Sequence, residues 1–291
     1  MRILLTVLAA LALASGANPA DAQGVGNIQD MLEAVVTKAK NVDLSTAINL
    51  AGRQRMLIQK MSKEACFVAL GIAPEDNRKR LHEDIRMFEE TLHGLRNGSR
   101  RLRLVPARDP EILKQIGVVE RMWKGFKPLL LHAGAPRTEE AIRGIAKYNM
   151  PLLKEMNRVV ELYERHASRK ASSISRKVNL AGRQRMLTQK MTKEACFIAL
   201  GIEPEKYRAE LAKTAATFDR VLDGLIDGDR ELGLGRTFEQ APRRQLLKVK
   251  ELWKKFRPLL KGPYDRDVLN RISKGSLVLL TEMDRAVKLL Y

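Results

Sequence analysis

Arg55 is the residue whose type and surroundings are best suited to binding chemistry. At about 100° per residue, a helix through Arg55 places Gly52 one turn before it and Gln59 one turn after it on the same stripe. A guanidinium presents a planar fork of N–H donors that fits an oxyanion. Glycine costs about 1 kcal/mol relative to alanine inside a helix, so its presence indicates close approach of a helix or a ligand. We therefore expect a slot for a small anion. The alternative is a structural arginine paired with an acidic residue of a neighbouring helix.

The segment that carries this stripe occurs twice in the sequence. Residues 49–72 and 179–202 are identical at 21 of 24 positions, and 130 residues separate them. The same offset relates Trp123 to Trp253. The chain is therefore a tandem duplication, and the second copy supplies the equivalent candidate residues Gly182, Arg185 and Gln189.

Each copy is predicted to form four helices. In the first copy they run from about 44 to 70, from 75 to 96, from Pro110 to about 132, and from Thr138 onward, with Gly and Pro stop signals between them. Four amphipathic helices with short connections indicate an up-down bundle. The fold class is therefore all-α, with two tandem four-helix up-down bundle modules.

The connection between the copies allows two arrangements. Residues 155–202 contain no proline, so we expect one long helix shared by both copies, which would place the bundles end to end. Serines at positions 168, 172, 173 and 175 weaken that helix. A reversal near residues 167–175 would instead set the bundles side by side.

Cys66 and Cys196 occupy equivalent positions on the same stripe as the arginines. If the two first helices pair along this face, within one chain or across a homodimer, the sulfurs could form a disulfide, which needs Cα atoms within about 7 Å. The alternative is two buried thiols.

The first residues predict export. Arg2 precedes an apolar run from Ile3 to Ala14, and Ala20-Asp21-Ala22 offers a small-x-small cleavage site. We predict a signal peptide at 1–22, a first helical module at 27–165, a second at 170–291, and a periplasmic location. The net charge of +19 attracts anions in general, but an exported protein rarely meets nucleic acid, so none is expected as a partner.

Catalytic and metal motifs are missing from the sequence. No histidine of the first copy is kept in the second, and there is no HExxH, phosphate loop, paired CxxC or GxSxG. We predict neither enzymatic activity nor a cofactor.

The string from Ile48 to Met56, INLAGRQRM, followed by Gln59, resembles the first periplasmic helix of NarX-type nitrate/nitrite sensor kinases, and more closely the PilJ-type N-terminal module of type IV pilus chemotaxis transducers. The resemblance implies a four-helix sensor module in which the helix-one glycine and the arginine three residues later contact an anion where two subunits pair. Those positions fall on Gly52 and Arg55, and on Gly182 and Arg185. Such receptors continue into a second membrane helix and a signalling domain, whereas this sequence ends at Tyr291, so a membrane-bound receptor or kinase is the expected partner.

Two functions remain open from the sequence. The first is an exported sensor-type protein that captures a small anion or polar metabolite, nitrate-like or nitrite-like, for a membrane signalling partner. The second is a helical interaction or scaffold module that docks on an envelope protein or polyanion through basic residues, namely Arg53, Lys60, Lys63 and the cluster Arg100, Arg101 and Arg103.

Overall fold

The computed structural model describes residues 19–134, 138–166 and 169–290, with side chains for 44–134, 138–166 and 176–290. Contacts divide the chain into residues 1–43 and a second unit, Leu44–Tyr291, which contains both repeated segments and is described below. Most of the predicted signal peptide, residues 1–18, lies outside the described residues, so that prediction stays a prediction.

Eight α-helices make up the described part of the chain, and the all-α prediction is confirmed. The first copy provides α1 (Pro19–Ala69), α2 (Pro74–Asn97), α3 (Pro110–Leu131) and α4 (Thr138–Arg165). The second copy provides α5 (Arg169–Ala199), α6 (Pro204–Asp227), α7 (Gln240–Phe256, extended by a 3-10 turn Arg257–Lys261) and α8 (Arg266–Leu289). Within the described ranges the β-structure amounts to two isolated bridges, Ser99 to Leu104 and Asp229 to Leu234.

The helices begin and end at residues that are local start and stop signals in the sequence. Gly71 and Gly201 follow α1 and α5 with φ of 66° and 69°, a left-handed conformation that glycine adopts without strain. The side chain of Asp109 accepts a hydrogen bond from the backbone N–H of Ile112 at 2.9 Å and so caps α3.

An aromatic pair joins α2 to α3, and a matching pair joins α6 to α7. The ring centroids of Phe88 and Trp123 lie 4.3 Å apart, and those of Phe218 and Trp253 lie 4.5 Å apart. All four residues are buried. Burial of large aromatic surface contributes strongly to packing, so each copy has the same core anchor.

The predicted end-to-end arrangement on a long shared helix is wrong. Helix α4 ends at Arg165 and α5 begins at Arg169, and residues 167 and 168 between them lie outside the described residues. Cys66 and Cys196 are joined by a disulfide with Cα atoms 6.2 Å apart, which brings α1 and α5 side by side. The physical reason is burial, because a continuous helix would leave the stripes of both copies in water, whereas pairing buries them against each other.

None of the helices in the described ranges combines the length and apolar character that a membrane span requires.

Candidate functional site

Helices α1 and α5 pack side by side through contacts between equivalent residues of the two copies. The ammonium of Lys63 donates to Gln189 Oε1 at 2.9 Å, and that of Lys193 donates to Gln59 Oε1 at 2.8 Å. Reciprocal bonds of this kind, together with the disulfide between equivalent cysteines, require parallel helices in register. The two copies of the stripe therefore face each other. Of the two alternatives for Cys66 and Cys196, a disulfide or two buried thiols, the structure has the disulfide.

Arg55 is buried, and amide oxygens from two other helices hold its guanidinium. Its Nη1 donates to Asn157 Oδ1 of α4 at 2.7 Å, and its Nη2 donates to Asn179 Oδ1 of α5, in the opposite copy. Glu164, which bonds to Asn179, acts on Arg55 through its charge, and burial raises the pKa of Glu164. Both direct side-chain partners of Arg55 are thus neutral groups.

Arg185 has the same arrangement with one change of charge. Its Nη2 donates to Asn49 Oδ1 of the opposite copy at 2.9 Å, and its Nη1 forms a salt bridge of 2.6 Å with Asp284 of α8. Asp284 is the counterpart of Asn157, 127 residues later. The alternative of a structural arginine paired with its own bundle therefore describes Arg185 better than it describes Arg55.

Gly52 and Gly182 make room for these guanidiniums. A Cβ atom placed on Gly52 would lie 3.3 Å from Arg55 Nη2, and one on Gly182 would lie 3.1 Å from Arg185 Nη2. Those contacts are tighter than ordinary van der Waals distances. A side chain at either glycine would displace the arginine one turn later.

Charges of both signs act on Arg55. Burial is the main cause that lowers the pKa of Arg55 to about 10, and the nearby positive charges of Arg183 and Arg185 lower it further, while the carboxylates of Glu164 and Glu161 raise it. Desolvation and like charges both penalise the charged guanidinium.

Gln59 and Gln189 lie further along the same interface. Gln59 contacts Lys193 and Asn149, and Gln189 contacts Lys63 and the backbone oxygen of Ser276. The structure therefore brings these two glutamines to the buried lysines of the opposite copy.

Sequence reasoning missed Lys63 and Lys193 as interior residues. Both are fully buried, and burial lowers the pKa of Lys63 to about 8 and that of Lys193 to about 7. Identity in both copies and a position one turn after Gln59 were the available signals. The asparagines at 49, 157 and 179 were also missed, because no pattern within one helix identifies an acceptor on another.

Some of the basic residues that the alternative function, docking on a partner, would use are not at the surface. Lys60 is buried in contact with Glu64 and Asp84, and Lys63 lies in the core, so neither can dock on a partner. The cluster Arg100, Arg101 and Arg103 is exposed, and Arg101 pairs with Glu90.

No group of three or more His, Cys, Asp or Glu side chains converges as a metal site among the described residues.

The family model described as type IV pili methyl-accepting chemotaxis transducer N-term (PilJ) matches residues 36–144 and 166–274. The chain belongs to the PilJ family. The resemblance seen in the first helix is thereby confirmed for both copies. This family is a chemoreceptor sensor domain, which is a non-catalytic kind of module.

Two comparisons lead to the same relative. Methyl-accepting chemotaxis protein McpN of Pseudomonas aeruginosa is 32% identical over 120 residues, which are 41% of this chain and 22% of McpN. The chain therefore spans less than a quarter of that relative's length. A solved structure of the ligand-binding domain of the P. aeruginosa nitrate receptor McpN is 32% identical, with a TM-score of 0.39, and the match covers 42% of this chain and 97% of that domain.

Proposed function

We propose that this protein is a periplasmic sensor module that captures a small anion between its two copies and presents it to a membrane-bound receptor or kinase. The observation that carries the proposal is the pair of buried arginines, Arg55 and Arg185, each bonded to an asparagine of the opposite copy. Arg185 is paired with Asp284, whereas Arg55 donates to two asparagine amides, so the charge of Arg55 is the one that attracts an anion.

The choice of anion follows from chemistry and from the relatives. Guanidinium N–H groups match the planar oxygens of nitrate or nitrite. The resemblance to nitrate/nitrite sensors and the 32% identity to McpN, whose domain is named as that of a nitrate receptor, support nitrate as the first probe.

The duplication supports a complete site within one chain. Where related receptors pair the first helices of two subunits, the copies here supply both helices, α1 and α5, and the disulfide holds them together. A homodimer would then be an additional assembly.

Calorimetric titration of the mature protein with nitrate and nitrite tests the proposal. We expect Arg55→Ala to weaken binding by about tenfold or more, because a hydrogen bond to a charged group contributes about 1.5–3 kcal/mol. Arg53→Ala is the matched control, since it removes the same charge two residues earlier from a side chain that is not buried. Equal losses at 53 and 55, or no binding of either anion to the folded wild type, would refute the proposal.

A further inference from the structure

A cleft lies between the two copies, and neither Arg55 nor Arg185 lines it. Helix α4 of the first copy forms one wall, and α5 and α6 of the second copy form the other. Its volume is about 620 Å³. That size falls within the range of pockets that bind organic molecules, and it is far larger than a nitrate ion requires.

The lining of this cleft has more positive charges than negative ones. It contains three carboxylates, Glu194, Glu203 and Glu210, and five cations, Arg143, Lys147, Lys190, Lys193 and Lys206. Two of the cations already pair with those carboxylates. Lys190 contacts Glu194 and Glu210, and Lys206 contacts Glu203 at 2.8 Å.

The other three cations have no ion pair with a carboxylate that lines the cleft. In the part of the chain that the structure describes, the ion pair of Arg143 is with Glu139, at 2.9 Å on its own exposed helix face, and a surface pair of this kind contributes little. Lys147 lies over the ring of Tyr148 at 5.1 Å. Among the described residues, Lys193 forms no salt bridge.

Lys193 lies at the floor of the cleft and is fully buried. Its ammonium donates to the amide oxygens of Gln59 at 2.8 Å and Asn149 at 2.7 Å. Glu194 and Glu210 favour the charged form of this lysine through their charges, but its direct hydrogen-bond acceptors are neutral, and a buried ammonium held in this way is costly. A negatively charged ligand in the cleft would supply a counter-charge in direct contact.

The duplication gives an internal comparison for this cleft. Lys63 is the counterpart of Lys193, but at an offset of 127 Arg143 becomes Asn270 and Asn149 becomes Ser276. The position of Arg143 therefore has a guanidinium in the first copy and a neutral amide in the second.

We propose that this cleft binds an organic anion with two acidic groups, with Lys193 at its floor and Arg143 and Lys147 at its rim. The fork of Arg143 matches one acidic group, and the two ammoniums match the other. The site uses neither Arg55 nor Arg185, the two arginines of the nitrate site proposed above.

Titration calorimetry with succinate and with phosphoglycolate, which has one carboxylate and one phosphate ester, tests this site, with neutral succinamide as the control ligand. The two anions distinguish a carboxylate from a phosphate ester as the second acidic group. We expect Arg143→Asn and Lys193→Met each to weaken binding by about tenfold or more, which corresponds to one charge-assisted hydrogen bond. Lys147→Gln should weaken it too, whereas Lys274→Gln, the same change at the equivalent position of the second copy, should leave it unchanged. Arg55→Ala should also leave it unchanged.

The outcomes are separable even if Lys193→Met does not fold, because Arg143 and Lys147 are exposed and their variants test the rim alone. Binding of either anion with loss at the rim supports the proposal. No binding of either anion, or equal effects of Lys147→Gln and Lys274→Gln, would overturn it and indicate general attraction to a basic surface.

Discussion

Exchanging the side chains at 157 and 284 should exchange the contributions of the two arginines to anion binding. Arg185 already has a carboxylate partner, because Asp284 lies 2.6 Å from its Nη1 and the arginine is nearly inaccessible. Arg55 donates to the amide of Asn157 at the equivalent point. An anion must therefore compete with a fixed negative charge at Arg185 but only with a neutral oxygen at Arg55.

The magnitude follows from the difference between the two kinds of bond. A hydrogen bond to a charged group contributes about 1.5–3 kcal/mol and a neutral one about 0.5–1.5 kcal/mol, so the difference is about 1–1.5 kcal/mol. At about 1.4 kcal/mol per factor of ten, this corresponds to a change of about five- to twelvefold in affinity. Asp284→Asn should tighten nitrate binding by that factor, and Asn157→Asp should weaken it by the same factor.

The assay is nitrate titration calorimetry at fixed ionic strength, with thermal unfolding as a check of the fold. Asp223→Asn is the matched control, because it removes the same charge from an exposed carboxylate of the same copy. If Asp284→Asn and Asp223→Asn change the affinity equally, net charge and not the arginine's partner controls binding, and the reasoning is refuted.

Three further results are expected. Replacing Cys66 and Cys196 by Ser should lower the free energy of unfolding by about 5 kcal/mol, because the disulfide closes a loop of 130 residues and restricts the unfolded chain. Urea unfolding measures this loss, and a loss near zero would show that the disulfide does not stabilise the pairing of the copies. The lysine pKa of about 7 at position 193 lies below its unfolded value, so the unfolded state binds the extra proton, and stability should rise with pH between 8 and 9.5. Lys193→Met should lower the slope of the unfolding free energy against pH by about 1.4 kcal/mol per pH unit, the contribution of one proton; an unchanged slope would show that this lysine keeps its proton in the folded state. Gly52→Ala should weaken nitrate binding without lowering the melting temperature, because its Cβ would displace Arg55 while favouring the helix; unchanged affinity would show that the close approach is not needed.

Local signals in the sequence predicted the elements of the fold. The stop signals at Gly71 and Gly201 and the cap at Asp109 act within a few residues, so they can be recognised without knowing what packs nearby. The identical stripe of the two copies likewise identified Gly52 and Arg55 as neighbours.

The arrangement of the copies could not be predicted in the same way. The helical wheel of α1 assumes one buried face and one solvated face, and the basic-surface alternative placed Lys60 and Lys63 on the solvated side. Both are buried, because α1 is covered by α5 as well as by helices of its own copy. A residue's burial depends on which helices surround it, and the pairing of α1 with α5 leaves no periodic signal beyond the repeat itself.

A duplicated chain differs from a homodimer in that its two halves can change separately. A substitution in a homodimer appears on both sides of the twofold axis, whereas here Asp284 stands opposite Asn157 and Arg143 opposite Asn270. The disulfide between Cys66 and Cys196 fixes which halves pair, so each difference is kept at a defined place in the interface. Both asymmetries alter charge beside a buried cation, where the low dielectric makes a single charge most effective. The copy-to-copy differences are therefore the positions at which the ligand preference of this module can depart from that of a symmetric relative.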